Sequence, residues 1–233
     1  MRNFTLADMR QTLPSSLLLR LFLLLAVLLA APVQAQTAPS WEQVATEMVQ
    51  RPEFAALPLQ IQVQRERPGR GSPAEMQLQS GQCILHLRNR DNPLADILLA
   101  QAAPEDRTLW LQAVIAHEFA HCWRWQGDDP AMQQLVALMG TAGTDARAAR
   151  QVQRQLGREE SFADVAALAW VAQAAPQRLG TILTAFQRLR GNTRLSTGPH
   201  DTRAALDRVQ REGFAAHLPL FLAAEALLDS AAE

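Results

Sequence analysis

The segment Leu109 to Trp125 constrains this chain more than any other stretch of it. It is apolar nearly all the way round, so a helix formed there belongs inside the fold and not on its surface. Yet it carries His117, Glu118 and His121. Polar groups on such a helix are costly unless something compensates them. His117 and His121 are four residues apart and project from the same helical face. Two imidazoles so placed can bind one tetrahedral zinc through nitrogen at about 2.0–2.1 Å. Glu118, one position round, lies close to such a metal and is turned toward its open coordination position. There it can take a proton from a bound water, whose pKa zinc lowers to about 7. With only five histidines in the chain, the H-E-x-x-H pattern rarely arises by chance.

A second constellation follows at Glu160-Ser161-Phe162-Ala163-Asp164. Glu160 and Asp164 are again four apart on a helical pattern, hence on one face. One carboxylate can complete a set of two histidines and one acid. The other can receive the free N–H of a ligand histidine and fix its tautomer. An acidic, solvated helix start accounts for Glu159. It does not account for Asp164, which sits within an apolar run.

Together, H-E-x-x-H at 117–121 and E-x-x-A-D at 160–164 resemble the gluzincin metallopeptidases, most closely the HtpX-like and CAAX prenyl endopeptidase group. The resemblance covers mainly residues 83–164. It implies a zincin-like fold, with His117, His121 and Glu160 as zinc ligands and Glu118 as general base. Asp164 is then the support for His117. In that group an edge strand above the active helix pairs with the substrate backbone, and Cys83 to Arg88 is the expected strand. The chain departs from the family in lacking multiple spanning helices and in having Cys122 directly after the second histidine. The family's downstream histidine-and-arginine segment is matched only loosely, by Ser196-Thr197-Gly198-Pro199-His200 followed by Arg203 or Arg208. Attack on a scissile carbonyl needs a donor for the developing oxyanion. The chain has no tyrosine, so His200 is the expected catalytic donor, with Arg203 as second choice.

The N-terminus reads as an export signal. Arg2, Arg10 and Arg20 precede an uncharged run, Leu21 to Ala31, which ends in Val33-Gln34-Ala35. The run is short of the roughly 20 apolar residues that span a bilayer, although an uncleaved anchor is the other reading. Residues 1–35 are therefore expected to be a signal peptide and 36–233 a metallopeptidase domain, periplasmic or secreted. Export makes a Cys83–Cys122 disulfide possible; two buried free thiols are the alternative. A formal net charge of −1 supplies no basic field for nucleic acid. The expected partner is a protein or peptide substrate met by a monomer, with membrane contact only through an uncleaved signal segment.

Around these motifs the chain reads as one α+β domain, a small antiparallel sheet followed by a mainly helical half. Ser40-Trp41-Glu42-Gln43 has the form of a capping box opening a helix to about Gln50. Leu59, Ile61 and Val63 alternate as a strand, then Met76 and Leu78, then Cys83, Leu85 and Leu87. Helices are expected over 131–139, 145–156, 158–174, 176–189, 202–212 and 215–228, with the longest break from Gly191 to His200. Asp201 is expected to cap the helix that follows. His86 reads as a surface strand residue, with an approach to substrate as the alternative, His217 as a packed or partly exposed one, and Trp110, Trp123 and Trp125 as core, with a cleft lining as the alternative. The expected function is exported, zinc-dependent endopeptidase action. The alternatives are a zinc-retaining binding or chaperone-like protein without turnover, and a helical binding module without metal.

Overall fold

The computed structural model describes residues 40–66, 68–126, 135, 145–192 and 198–229. The signal segment 1–35 and the helix expected over 131–139, apart from Leu135, lie outside them. The described residues have the α+β composition expected: one three-stranded sheet and seven helices. No helix among them is long and apolar enough to cross a membrane.

Helix α1 (Trp41–Val49) opens with the capping box, Ser40 and Gln43 each satisfying the other's backbone N–H. It buries Trp41, Val44, Ala45 and Met48. Strands β1 (Leu59–Val63), β2 (Ala74–Gln79) and β3 (Gln82–Leu87) form the sheet in the order β1-β3-β2. β2 and β3 are an antiparallel hairpin through Ser80-Gly81, where φ is positive at both residues. β1, however, pairs with β3 in parallel, Leu59 opposite Cys83 through Val63 opposite Leu87. The sheet is therefore mixed and not antiparallel throughout. Alternating side chains report which face of a strand is buried and carry no information about direction. The connection containing Pro68 and Pro73 carries the chain past the position β3 will take. β3 then returns between its two predecessors, and β2 is left at an edge.

Helix α2 (Pro93–Leu99) is capped by Asn92, whose Oδ1 accepts from the Leu94 N–H. A short 3-10 turn, Pro104–Asp106, leads into α3 (Arg107–Gln126). α3 is the buried central helix; Trp110, Ile115, Phe119 and Cys122 are essentially inaccessible. It packs on α1, on β2 and above all on α4 (Ala146–Ala174). The sequence suggested two helices here, divided at Gly157, but α4 is continuous. A glycine inside a helix costs about 1 kcal/mol. Burial of the long apolar face from Val152 to Val171 outweighs that.

Helix α5 (Leu179–Gly191) follows a 3-10 turn at Pro176–Arg178, later than the expected start at 176. A second such turn, Gly198–His200, precedes α6 (Arg203–Glu212) and α7 (Leu220–Asp229). Asp201 does not cap α6: the N-cap is Thr202, without a side-chain cap bond, and Asp201 pairs with Arg203. α7 begins five residues later than the apolar pattern suggested, just after Pro219. Trp123, on α3, stacks with Phe162 of α4 and Phe221 of α7 at 5.5 and 5.0 Å, and those two rings stand 6.5 Å apart, so the three form one cluster that locks the helices together.

Cys83 of β3 and Cys122 of α3 form a disulfide with Cα atoms 5.7 Å apart. With the Gln126 side chain donating to the Gly81 carbonyl, it fixes the hairpin onto the C-terminal half of α3. The loop it closes spans 39 residues. A Cys83→Ser/Cys122→Ser variant is therefore expected to lose about 3–4 kcal/mol of stability. Urea unfolding of the oxidised protein and the variant measures that loss directly.

Candidate metal centre

Three donors converge where α3 crosses α4. His117 Nε2 lies 3.3 Å from His121 Nε2 and 3.6 Å from Glu160 Oε2, and His121 Nε2 lies 3.7 Å from Glu160 Oε1. Ligands 2.0–2.2 Å from a tetrahedral ion stand about 3.3–3.6 Å apart, so these spacings come close to those of donors sharing one ion. His117, His121 and Glu160 form a group that could hold a metal ion.

Each donor is oriented from behind. His117 Nδ1 stands 2.8 Å from Asp164 Oδ1, so Nδ1–H donates there and the Nε2 lone pair faces the group. Asp164 is fully buried. Burial alone would raise its pKa, but Arg190 and His117 hold it well below the usual carboxylate range. Arg190 grips it in a fork, Nε to Oδ2 at 2.8 Å and Nη2 to Oδ1 at 2.7 Å, and Thr202 Oγ1 donates to Oδ2. The same guanidinium lies 3.6 Å from Glu160.

The protonation states of His121 and Glu160 suit a cation, while His117 is biased toward its charged form. Burial, reinforced by the neighbouring His117, pushes the His121 pKa down to about 4, so its ring is neutral near pH 7. Burial would raise Glu160, but a hydrogen bond from His200 and the charges of His117 and His121 bring it down to about 2. For His117 burial lowers the pKa, and the Asp164 hydrogen bond and charge more than reverse that. Glu118 lies beside the group, its Oε2 accepting the Met76 N–H at 2.8 Å. Burial raises its pKa to about 7, with the nearby Glu160 adding to the shift against His117.

The strand over the site is not the one expected. Cys83 to Leu87 is the central strand of the sheet, flanked on both sides, and cannot accept a further chain. β2 is the edge strand that lies against α3, and Ala74, Glu75, Met76 and Leu78 line the cleft. His200 also lines the cleft, its Nδ1 3.0 Å from Glu160 Oε2 and its side chain nearly half exposed. Arg203 does not belong to the centre: it is exposed and forked onto Asp201. Arg208 pairs with Glu212. His217 is exposed, and His86 is half-buried on β3, with Nε2 unpartnered. Cys122 is committed to the disulfide. Of the three tryptophans, Trp125 lines the cleft and stacks on His121 at 6.0 Å.

Sequence reasoning missed Arg190 and Thr202. Thr202 left no signal. Arg190 did, because it falls four residues after Phe186 on the stripe Ile182-Phe186-Leu189, where a cation has no solvent to face. Compared with protein-family models, with curated proteins and with solved structures, the chain matches none of them.

Proposed function

We propose that this protein is a zinc-dependent endopeptidase of the gluzincin kind, exported from the cytoplasm. The reading rests on one observation: Glu118 stands at the edge of a two-imidazole, one-carboxylate donor set that opens into a cleft. A structural zinc is closed by four protein ligands and has no use for a base beside it. The donor set of two nitrogens and one carboxylate oxygen suits zinc better than a hard cation that prefers oxygen alone.

Bound there, zinc would supply Lewis acidity toward a carbonyl and a lowered pKa for water. The chain's own residues do the rest. His117, His121 and Glu160 hold the ion, and Asp164 keeps the His117 ring in its Nε2-facing tautomer. Glu118 takes the proton from the attacking water and passes it to the leaving amine. Its bond from the Met76 N–H ties the base to the strand over the cleft. On the outward edge of β2, Glu118 takes the Met76 N–H and Ser72 the Ala74 carbonyl. The Met76 carbonyl and the Leu78 backbone are left for pairing with an extended substrate backbone, as the main chain does in strand addition. His200 donates through Nδ1 to Glu160; its Nε2 offers a proton to the oxyanion only when the ring is charged.

Metal dependence tests the reading first. Protein stripped with a chelator is expected to lose hydrolysis of an unstructured protein substrate and to regain it with one equivalent of zinc. At free zinc of about 1,000 times Kd the folded state gains roughly 4 kcal/mol, which raises Tm by about 8–16 °C for a domain of this size. A stripped protein whose melting curve ignores zinc would overturn the assignment of the three donors.

A further inference from the structure

Helix α4 carries its charge unevenly. Residues 146–158, its first half, include Arg147, Arg150, Arg154 and Arg158 and no acid. Spaced by three and four, these arginines fall on one stripe, and all four are exposed. At a rise of 1.5 Å per residue the stripe is about 16 Å long. Like charges three or four apart on a helix destabilise it, and Arg147 stands in the first turn, where the helix dipole disfavours a cation. Asp145 caps the helix through the Arg147 backbone N–H, not through its side chain. Among the described residues none of the four guanidinium groups has an ion pair. A helix face that only meets water gains by mixing its signs, and this one does not.

The stripe leads into a groove. Arg154 and Arg158 line a second cavity, of about 1030 Å³, to which α6 contributes Arg208 and Arg211 from another wall. Phe162 and Leu228 supply an apolar floor. Most acids along the groove are already engaged. Glu212 pairs with Arg208 and stands 4.0 Å from Arg211, Glu225 pairs with Arg124, and Asp201 pairs with Arg203. Asp229 is the one lining acid without an ion pair among the described residues. With the stripe included, four unpaired arginines stand against that single carboxylate. Arg124 divides the groove from the metal centre: it lines the groove and forks onto Glu159, which lines the metal cleft.

We propose that the stripe and groove are a docking site for an acidic segment of another polypeptide, bound extended. Its carboxylates meet Arg147, Arg150, Arg154 and Arg158, and an apolar side chain rests on the floor beside Leu228. An extended chain rises about 3.3 Å per residue, so about five residues cover the stripe. Alternate side chains then stand about 7 Å apart on one face, within the reach of long arginine side chains a helical turn apart. The planar fork of arginine also matches a carboxylate. Shape sets this occupant apart from an anionic lipid surface: a bilayer can touch an exposed stripe but cannot follow it into a groove with a second wall. The site is separate from His117, His121 and Glu160 and does not rest on the peptidase reading.

The probe is a fluorescein-labelled decapeptide of glutamate with one central leucine, and its control carries glutamine for every glutamate. Anisotropy is read with the full chain, with and without chelator. The acidic peptide is expected to bind, more weakly as salt is raised, and the glutamine peptide at least about tenfold more weakly. Arg154→Gln/Arg158→Gln is expected to cost about tenfold, which two exposed charge pairs together supply. Arg147→Gln/Arg150→Gln is expected to cost a similar or smaller factor. Arg51→Gln/Arg70→Gln removes the same net charge from exposed arginines off the stripe and is expected to change nothing. Chelation is expected to leave the affinity as it was. Equal binding of the two peptides overturns the site, as does an Arg154→Gln/Arg158→Gln protein that melts normally and binds like wild type. An equal loss in the Arg51→Gln/Arg70→Gln protein reduces the effect to net charge and overturns it too. Binding that vanishes with chelator puts the peptide at the metal instead. Phosphatidylglycerol vesicles are the last arm: a chain that ignores the acidic peptide but sediments with them through Arg154 and Arg158 replaces the polypeptide with a lipid surface.

Discussion

Glu118→Gln is expected to lower peptide hydrolysis about 10²–10⁴-fold while the protein keeps its metal and its fold. The substitution is isosteric, and the new carbonyl oxygen can still accept the Met76 N–H that Glu118 accepts now. What it removes is a basic oxygen beside the donor set, and general-base loss has about that magnitude. Metal content by mass spectrometry, read alongside the rate, makes the result specific. A variant that holds zinc and turns over at the wild-type rate denies Glu118 its role as base. A variant that loses zinc shows instead that Glu118 helps hold the ion.

The second large effect is expected at a residue that need not touch substrate. Arg190→Leu leaves Asp164 fully buried without its forked partner. Breaking a buried pair from one side typically costs about 3–5 kcal/mol, so Tm should fall by roughly 6–20 °C. Zinc affinity should also fall by about 10–100-fold, as it does when the groups behind a ligand histidine are disturbed. Arg190→Lys keeps the charge but cannot reproduce two parallel N–H bonds. It should recover part of the stability and less of the metal affinity. Calorimetry with and without zinc reads both quantities. An Arg190→Leu protein as stable as wild type would mean that the Asp164 charge is satisfied by Thr202 and His117 alone.

How much of this was legible beforehand depended on the range of the interaction. His117 and His121, or Glu160 and Asp164, are partners within one helix, and spacing alone places them. The capping box at Ser40 and the turn at Ser80-Gly81 are equally local. That Glu160 meets the histidines was reached through a family resemblance, because nothing in periodicity says where two helices cross. The mixed sheet was illegible for a related reason. Its parallel pair is set by a long connection, and the alternation of Leu59, Ile61 and Val63 would look the same in either direction. From that error came the choice of Cys83 to Arg88 as the strand over the cleft. Arg190 was legible in principle, as a cation on an apolar stripe, but it needed the question of what a buried Asp164 would pair with. His200 was expected as the oxyanion donor from the loose downstream match, its irregular stretch and the lack of tyrosine, and its Nδ1 stands 3.0 Å from Glu160; Arg203 was not brought in, because Asp201 two residues away offers its guanidinium a nearer partner.

The Cys83–Cys122 link has a bearing on how the molecule matures. Before it forms, a newly made chain holds two thiols, one of them next to His121. Thiolate sulfur is a softer ligand than carboxylate and competes strongly for zinc. A chain that met the ion while reduced could trap it on the wrong atoms, pulling β3 toward α3 in a dead-end geometry. Oxidation withdraws both sulfurs from that competition and leaves the nitrogen-and-carboxylate set as the donor group among the described residues. On the proposed zinc reading, the covalent bond would then have to form before the ion is bound.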